Sequence, residues 1–198
     1  MNATTSNGAI VTKISASPDL TKFQPAEFVK PRPNEQMKFE VNVAAETMEG
    51  MLKRAVVEPN LPSWGSFQLI CDEGGALGGT DTAPPPLGYM AAGIAFCLLT
   101  HLSAYARSKK LNLASIKIEQ RMEFSTTLVT DAEAEGDFRG MCDAITTHVI
   151  VEGDATDQEI EKMVADSEAS CMAMQSLINV IPKNTEMHLN GRSLGVSA

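Results

Sequence analysis

Aromatic residues are scarce in this sequence, 5% of its 198 residues. Stacking platforms for single-stranded nucleic acid are built from such rings, so their scarcity counts against that class. Cations are also in deficit, with 16 Lys and Arg against 25 Asp and Glu, and the net charge of -9 repels a phosphate backbone. Together these exclude nucleic acid as the expected partner. No CxxC pair occurs: the four cysteines, Cys71, Cys97, Cys142 and Cys171, are widely spaced, so zinc-site spacing is absent and no metal is expected. Neither GxGxxG nor a GK[ST] ending is found in the glycine-rich stretch CDEGGALGGTDTAPPP, so no nucleotide cofactor is expected either. The first twenty residues lack the apolar core of a signal peptide. A cytoplasmic protein with reduced thiols is the expectation. Internal repeats and low-complexity blocks are missing as well.

What the chain does have is one long apolar stretch, PPPLGYMAAGIAFCLLTHLSAYARSKK, from Pro84 to Lys110. Prolines set its start, and Arg107, Lys109 and Lys110 mark an end where cations suit a helix C-terminus. A helix of about 20 residues is roughly 30 Å long, enough to cross a small domain. Leu87, Met90, Ile94, Phe96, Leu98, Leu99 and Leu102 spread round all its faces, which predicts a helix buried inside something. Gly88, Gly93, Thr100, His101 and Ser103 dilute the run, so the expected surroundings are a protein core and not a membrane. Met90, Ile94, Cys97 and His101 fall on one face at helical spacing.

The rest reads in order around that helix. Residues 1–36, rich in Ser, Thr, Asn, Pro and Lys, read as an extended arm. Residues 37–190 form the folded domain, and 191–198 a loose tail. Phe39, Val41 and Val43 alternate with polar residues in a half-buried strand; Lys53–Val57 and Ser66–Cys71 are short strands. SIKIEQRMEFS (115–125) is the clearest strand, its apolar face interrupted only by Gln120. The acidic turn DAEAEGD leads to an antiparallel neighbour over Cys142–Glu152. Thr156 and Glu159 form a capping box for a helix whose pattern falters around Ser167–Ser170 and restarts at Cys171. If Ser170 caps that restart, Cys171 lies in a first helical turn, where the dipole lowers a thiol pKa. TEMHLN is a closing strand. The element order gives an α+β domain, an antiparallel curved sheet packed on a long buried central helix.

The order of elements, the run P-x-x-x-x-A-A-G-x-x-x-C from Pro86 to Cys97, and the distance on to Cys171 resemble the OsmC-like family, which includes the organic hydroperoxide resistance proteins. The resemblance spans residues 37–190. It implies an intertwined homodimer with long helices buried between curved sheets. It also implies that Cys97 is a peroxidatic and Cys171 a resolving cysteine, acting on an organic hydroperoxide and restored by a dithiol reductant. Leu87, Met90 and Ile94 would then line a hydrophobic substrate pocket. Such a thiolate needs a nearby cation, a task that in the family belongs to an Arg from an early strand oriented by a Glu. Arg54 is the candidate here, and His101, one turn after Cys97, is a second.

Two departures stand out. Leu87 occupies the family's Glu position, and Met172 follows Cys171 where the family commonly has Pro. Asp72 or Glu73 could stand in for the missing carboxylate. Three readings therefore remain open at the level of sequence. One is a thiol-dependent hydroperoxide reductase. The others are a non-catalytic protein of the same fold binding an apolar small molecule, and a thiol redox sensor acting through a partner. Cys71 bears on all three as an alternative resolving thiol.

Overall fold

The computed structural model describes residues 9–127 and 139–196. They divide into two compact units, Met1–Tyr89 and Met90–Ala198. The acidic turn over 131–137 lies outside the described residues.

The first unit is built on a four-stranded antiparallel sheet of β1 (Val11–Ile14), β2 (Val41–Thr47), β3 (Lys53–Pro59) and β4 (Ser66–Cys71), in the order β1-β4-β3-β2. Strand β1 comes from the segment read as an arm; it pairs Val11 with Leu69 and Ile14 with Ser66. Further along, the arm is tied at Ala26, whose N–H donates to Glu40 (3.1 Å) and whose carbonyl accepts from the Asn60 amide (2.9 Å). Strand β2 departs from expectation in its facing. Val41 and Val43, the apolar side of the alternation, are 54% and 50% exposed, while Asn42 and Ala44 on the other side are half-buried.

The glycine-rich stretch after β4 is not a loose loop. Asp72, 1% exposed, gathers it. One carboxylate oxygen accepts from the Glu73 amide (2.8 Å). The other accepts from the amides of Thr80 and Thr82 (both 3.1 Å) and from their hydroxyls (2.8 and 3.0 Å). The Asp72 amide also donates to the carbonyl of Pro84 (3.4 Å), so the knot fixes the chain where the prolines begin. The Thr80 hydroxyl above all, with the Thr82 amide next, holds the Asp72 carboxyl well below the usual carboxylate range despite its burial.

Helix α1 (Pro86–Lys109) begins in the first unit and continues in the second. Over its most apolar window its mean hydropathy is 1.5, so by length and composition alone it could cross a membrane. Its burial is a single stripe: Ile94, Leu98, Leu102 and Ala106, four residues apart, are buried, while Leu87 (48%) and Phe96 (68%) are exposed. The helix predicted to be enclosed all round is thus covered along one side by its own chain.

The second unit adds a long hairpin of β5 (Asn112–Thr126) and β6 (Gly140–Asp154), then α2 (Asp157–Ser170), α3 (Met172–Ile178) and a short hairpin of β7 (Glu186–Leu189) and β8 (Arg192–Val196). Ile116, Ile118 and Met122 are partly covered and Lys117, Glu119, Arg121 and Glu123 exposed, as the alternation predicts. Phe124 falls beyond a register shift at Glu123 and is 38% exposed. The capping box is present: the Thr156 hydroxyl accepts from the Glu159 amide (3.3 Å), and the Glu159 carboxylate accepts from the Thr156 amide (2.9 Å). Within the segment read as a loose tail, Arg192–Val196 is strand β8. Its Asn190-Gly191 turn, with both φ positive, is the residue pair a tight hairpin demands. The core of this unit is Leu98, Leu102, Ala106, Met163 and Cys171.

Candidate active site

Two of the four cysteines meet in that core. Cys97 reaches it from α1, where it flanks the buried stripe through Leu98 and is itself part-buried. Cys171 reaches it from the joint between α2 and α3. The backbone there leaves helical geometry (φ -73°, ψ 98°), its N–H closing on the Glu168 carbonyl (3.2 Å) and its carbonyl accepting from Gln175 (2.9 Å). The joint turns the Cys171 side chain inward, to 0% exposure. Both pack in one core cluster, and both are free.

The electrostatics of Cys171 run against the expectation of a thiol acidified by a helix start. Cys171 is the residue preceding α3, not a member of its first turn, and its side chain makes no capping hydrogen bond. Burial pushes its thiol pKa up, and the neighbouring Cys97 adds to the rise; the amides of Met174 and Ala173 oppose it without prevailing.

The remaining predicted site residues are distributed as follows. His101 lies one turn beyond Cys97, part-buried, and among the described residues its ring makes no hydrogen bond or ion pair. Ile94 is 3% exposed and Met90 part-buried, both in the second unit. Leu87 belongs to the first unit. Arg54 is also in the first unit, on β3 directly opposite Glu46 of β2; its Nε donates to the Glu46 carboxylate at 2.8 Å and a terminal N–H reaches the same oxygen. Glu46 is thus the carboxylate that orients this arginine. Asp72 is committed to its loop, and Glu73 pairs with Lys53 (3.1 Å), so the expectation that one of them holds the arginine is not met.

Cys71 ends β4 opposite Lys53, and burial raises its pKa more than the lysine lowers it. Cys142 is exposed and lines a groove of about 700 Å³ between β6, α2 and α3 that includes neither Cys97 nor Cys171. Among the described residues no group of three or more His, Cys, Asp or Glu is placed to hold a metal.

Among the described residues of the second unit, two polar side chains carry buried, unpartnered atoms: Oε1 of Gln120 and Oγ of Ser167. Gln120 lies on the inner face of β5 and donates from Nε2 to the Ala91 carbonyl of α1 (3.2 Å). Ser167, on α2, is 2% exposed. Sequence reasoning gave neither a role, though the first interrupts an apolar strand face and the second opens the stretch where the helical pattern falters.

The family model for OsmC-like protein matches residues 79–186, the span that holds α1, both cysteines and the elements between them. A similar solved structure is that of an OsmC-like hydroperoxide resistance protein from Jannaschia sp. CCS1. It is 17% identical over 78% of this chain and 97% of that one, with a TM-score of 0.51. An organic hydroperoxide resistance protein from Legionella pneumophila gives 19% identity over 72% and 92%, with a TM-score of 0.49. One from Elizabethkingia anophelis gives 15% over 72% and 90%, also at 0.49. No curated protein matches the chain. At such identities the structural likeness speaks for the fold. The sequence match covers more than half of the chain, and with it the helix–hairpin–helix frame around the two thiols: this chain belongs to the OsmC-like family.

Proposed function

We propose that the chain is a two-cysteine peroxidase that reduces organic hydroperoxides. The observation that carries this reading is the packing of Cys97 and Cys171 into one core cluster of the second unit. Family membership and the hydroperoxide resistance proteins of similar fold support the substrate class. The Cys97 thiolate attacks the distal oxygen of R–O–O–H. An S–O bond forms and the O–O bond breaks; the departing alkoxide takes a proton and leaves as the alcohol. Cys171 then attacks the Cys97 sulfenic sulfur. An S–S bond forms, the S–O bond breaks, and hydroxide leaves with a proton as water. A dithiol reductant returns both thiols.

Assembly as a homodimer is part of the proposal. The exposed apolar positions Phe96 on α1 and Val41 and Val43 on β2 support it. The alternative, a non-catalytic binder of an apolar small molecule, draws on the upward shift of Cys171 and on Leu87 and Met172. Mass-spectrometric mapping after a stoichiometric pulse of cumene hydroperoxide, with free thiols trapped afterwards, separates the two. The peroxidase forms a Cys97–Cys171 disulfide that is absent in Cys97→Ser. If both thiols stay reduced in the folded protein, the binder reading replaces it.

A further inference from the structure

The groove between β6, α2 and α3 holds about 700 Å³, a volume in the range of small-molecule sites. Three stretches of the second unit build it. On α2, Ala165, Glu168 and Ala169 share one face at helical spacing, and the two methyl side chains leave room beside the helix. On α3, Met174, Leu177 and Ile178 repeat that spacing and form an apolar wall, of which Leu177 and Ile178 are 38% and 64% exposed. Ile145 and Thr147 of β6 supply the third side. The Gln175 side chain braces the corner between the helices: its Nε2 donates to the Glu168 carbonyl (3.2 Å), and its Oε1 accepts from the Asn179 amide (2.7 Å).

The charged groups at this groove are of one sign. Asp143 and Glu168 line it, and no lysine, arginine or histidine does. A register shift puts Asp143 there. Ala144 pairs with Glu123 and Cys142 with Phe124, so Asp143 has no partner across the ladder, the mark of a bulge that re-aims side chains. One Asp143 carboxylate oxygen accepts from the Ser125 hydroxyl (3.1 Å). The Glu168 carboxylate takes neither a hydrogen bond nor an ion pair among the described residues. Two carboxylates without a cation, beside an apolar wall, favour a molecule that carries positive charge on an apolar body and repel an anion of the same shape.

We propose that this groove binds a small amphiphilic cation, an alkyl chain with an ammonium or guanidinium head. The chain lies along Met174, Leu177 and Ile178, and the head faces Asp143 and Glu168. Binding calls on neither Cys97 nor Cys171, so it stands or falls apart from the peroxidase reading.

The probe is decyltrimethylammonium below its micellar concentration, with decanoate as the anion of equal chain length and tetramethylammonium as the head alone. Isothermal titration calorimetry on the full chain should show the cation binding at least about tenfold tighter than either control. Asp143→Asn combined with Glu168→Gln should bring the cation and decanoate within about threefold of each other. Ala169→Trp, at an exposed position on the groove wall, should abolish binding. It keeps the net charge of -9, so a cation held only by overall charge would bind this variant unchanged. Cys142 reports the place: its alkylation by iodoacetamide, followed by peptide mass spectrometry, should slow several-fold with the probe, while Cys71 outside the groove keeps its rate. Circular dichroism melting checks the fold of each variant. Equal affinity for cation and anion, a preference that survives the double substitution, or binding unaffected by Ala169→Trp overturns the inference. So does a Cys142 that is shielded without the probe and increasingly so with protein concentration, since a second copy of the chain then fills the groove.

Discussion

The two units handle polar groups in opposite ways. In the first, charge is closed into pairs: Arg54 with Glu46, Lys53 with Glu73, and Asp72 with the donors of its own loop. Its one orphaned buried side-chain atom among the described residues is Oγ1 of Thr12, near the edge of the sheet. In the second, two thiols sit in an apolar core with Ser167 and Gln120 carrying unmatched atoms nearby in the same unit. A satisfied network contributes rigidity and has nothing left to offer a substrate. An unsatisfied one costs stability and keeps a donor or acceptor in reserve. That contrast puts the expected chemistry in the second unit and the structural anchoring in the first.

The contrast can be broken from either side. The largest loss of stability is expected from Asp72→Ala, which strands five donors at once and should lower the denaturant midpoint more than any other substitution named here. Because the folded carboxyl titrates below its unfolded value, its contribution is complete above about pH 4 and fades as pH falls toward the folded value. Urea melts at pH 7 and pH 3 should therefore show a smaller acid-dependent loss in Asp72→Ala than in wild type; equal losses would mean the loop carries no such anchor. Next comes Leu98→Ala in the second unit, fully buried beside the thiols, for which calorimetry should register a destabilisation of about 2–5 kcal/mol. A sub-kilocalorie effect would mean that the core around Cys171 is loosely packed.

Gln120→Leu sharpens the comparison by reversing sign. It gives up one hydrogen bond to a helix carbonyl but removes an orphaned acceptor, so stability should hold or rise by about 1 kcal/mol. A marked loss would show that Oε1 has a partner in solution, such as an ordered water. The smallest effect belongs to Arg54→Ala. The pair with Glu46 is exposed on both sides, and its removal should change stability by less than about 1 kcal/mol, in a salt-dependent way.

Much of this architecture was legible in the sequence because strong periods speak plainly. The long helix, the alternation around Ile116 and Ile118, and the Thr156–Glu159 cap each follow from residue spacing alone. What failed to read out was tertiary. Val41 and Val43 announce an inward face, but only neighbouring strands decide which side of β2 is covered. Asp72 reads in the sequence as a spare carboxylate for the arginine, but Thr80 and Thr82 on either side of Asp81 supply the alternating hydroxyls that capture it. Asn190-Gly191 is a hairpin signal, but the segment after it becomes a strand only by pairing back on β7. At the site, helical spacing placed Cys97 and His101 on one face and the faltering pattern marked the joint before Cys171, but the downward shift expected for Cys171 turned on its depth of burial, which spacing does not give.

The Asp72 knot also sets how freely its own loop can vary over evolutionary time. A methyl group at Gly74 or Gly75 would meet no atom within 4 Å, so these positions can drift with little penalty. Gly79 has no such freedom: a Cβ there would lie 1.8 Å from the Glu73 carbonyl oxygen, inside the turn the carboxylate draws shut. Within one short segment, then, Gly74 and Gly75 are interchangeable filler, while Gly78, held at φ +79°, and Gly79 are not. A library of loop variants should retain Asp72, Gly78, Gly79, Thr80 and Thr82 while scrambling the rest.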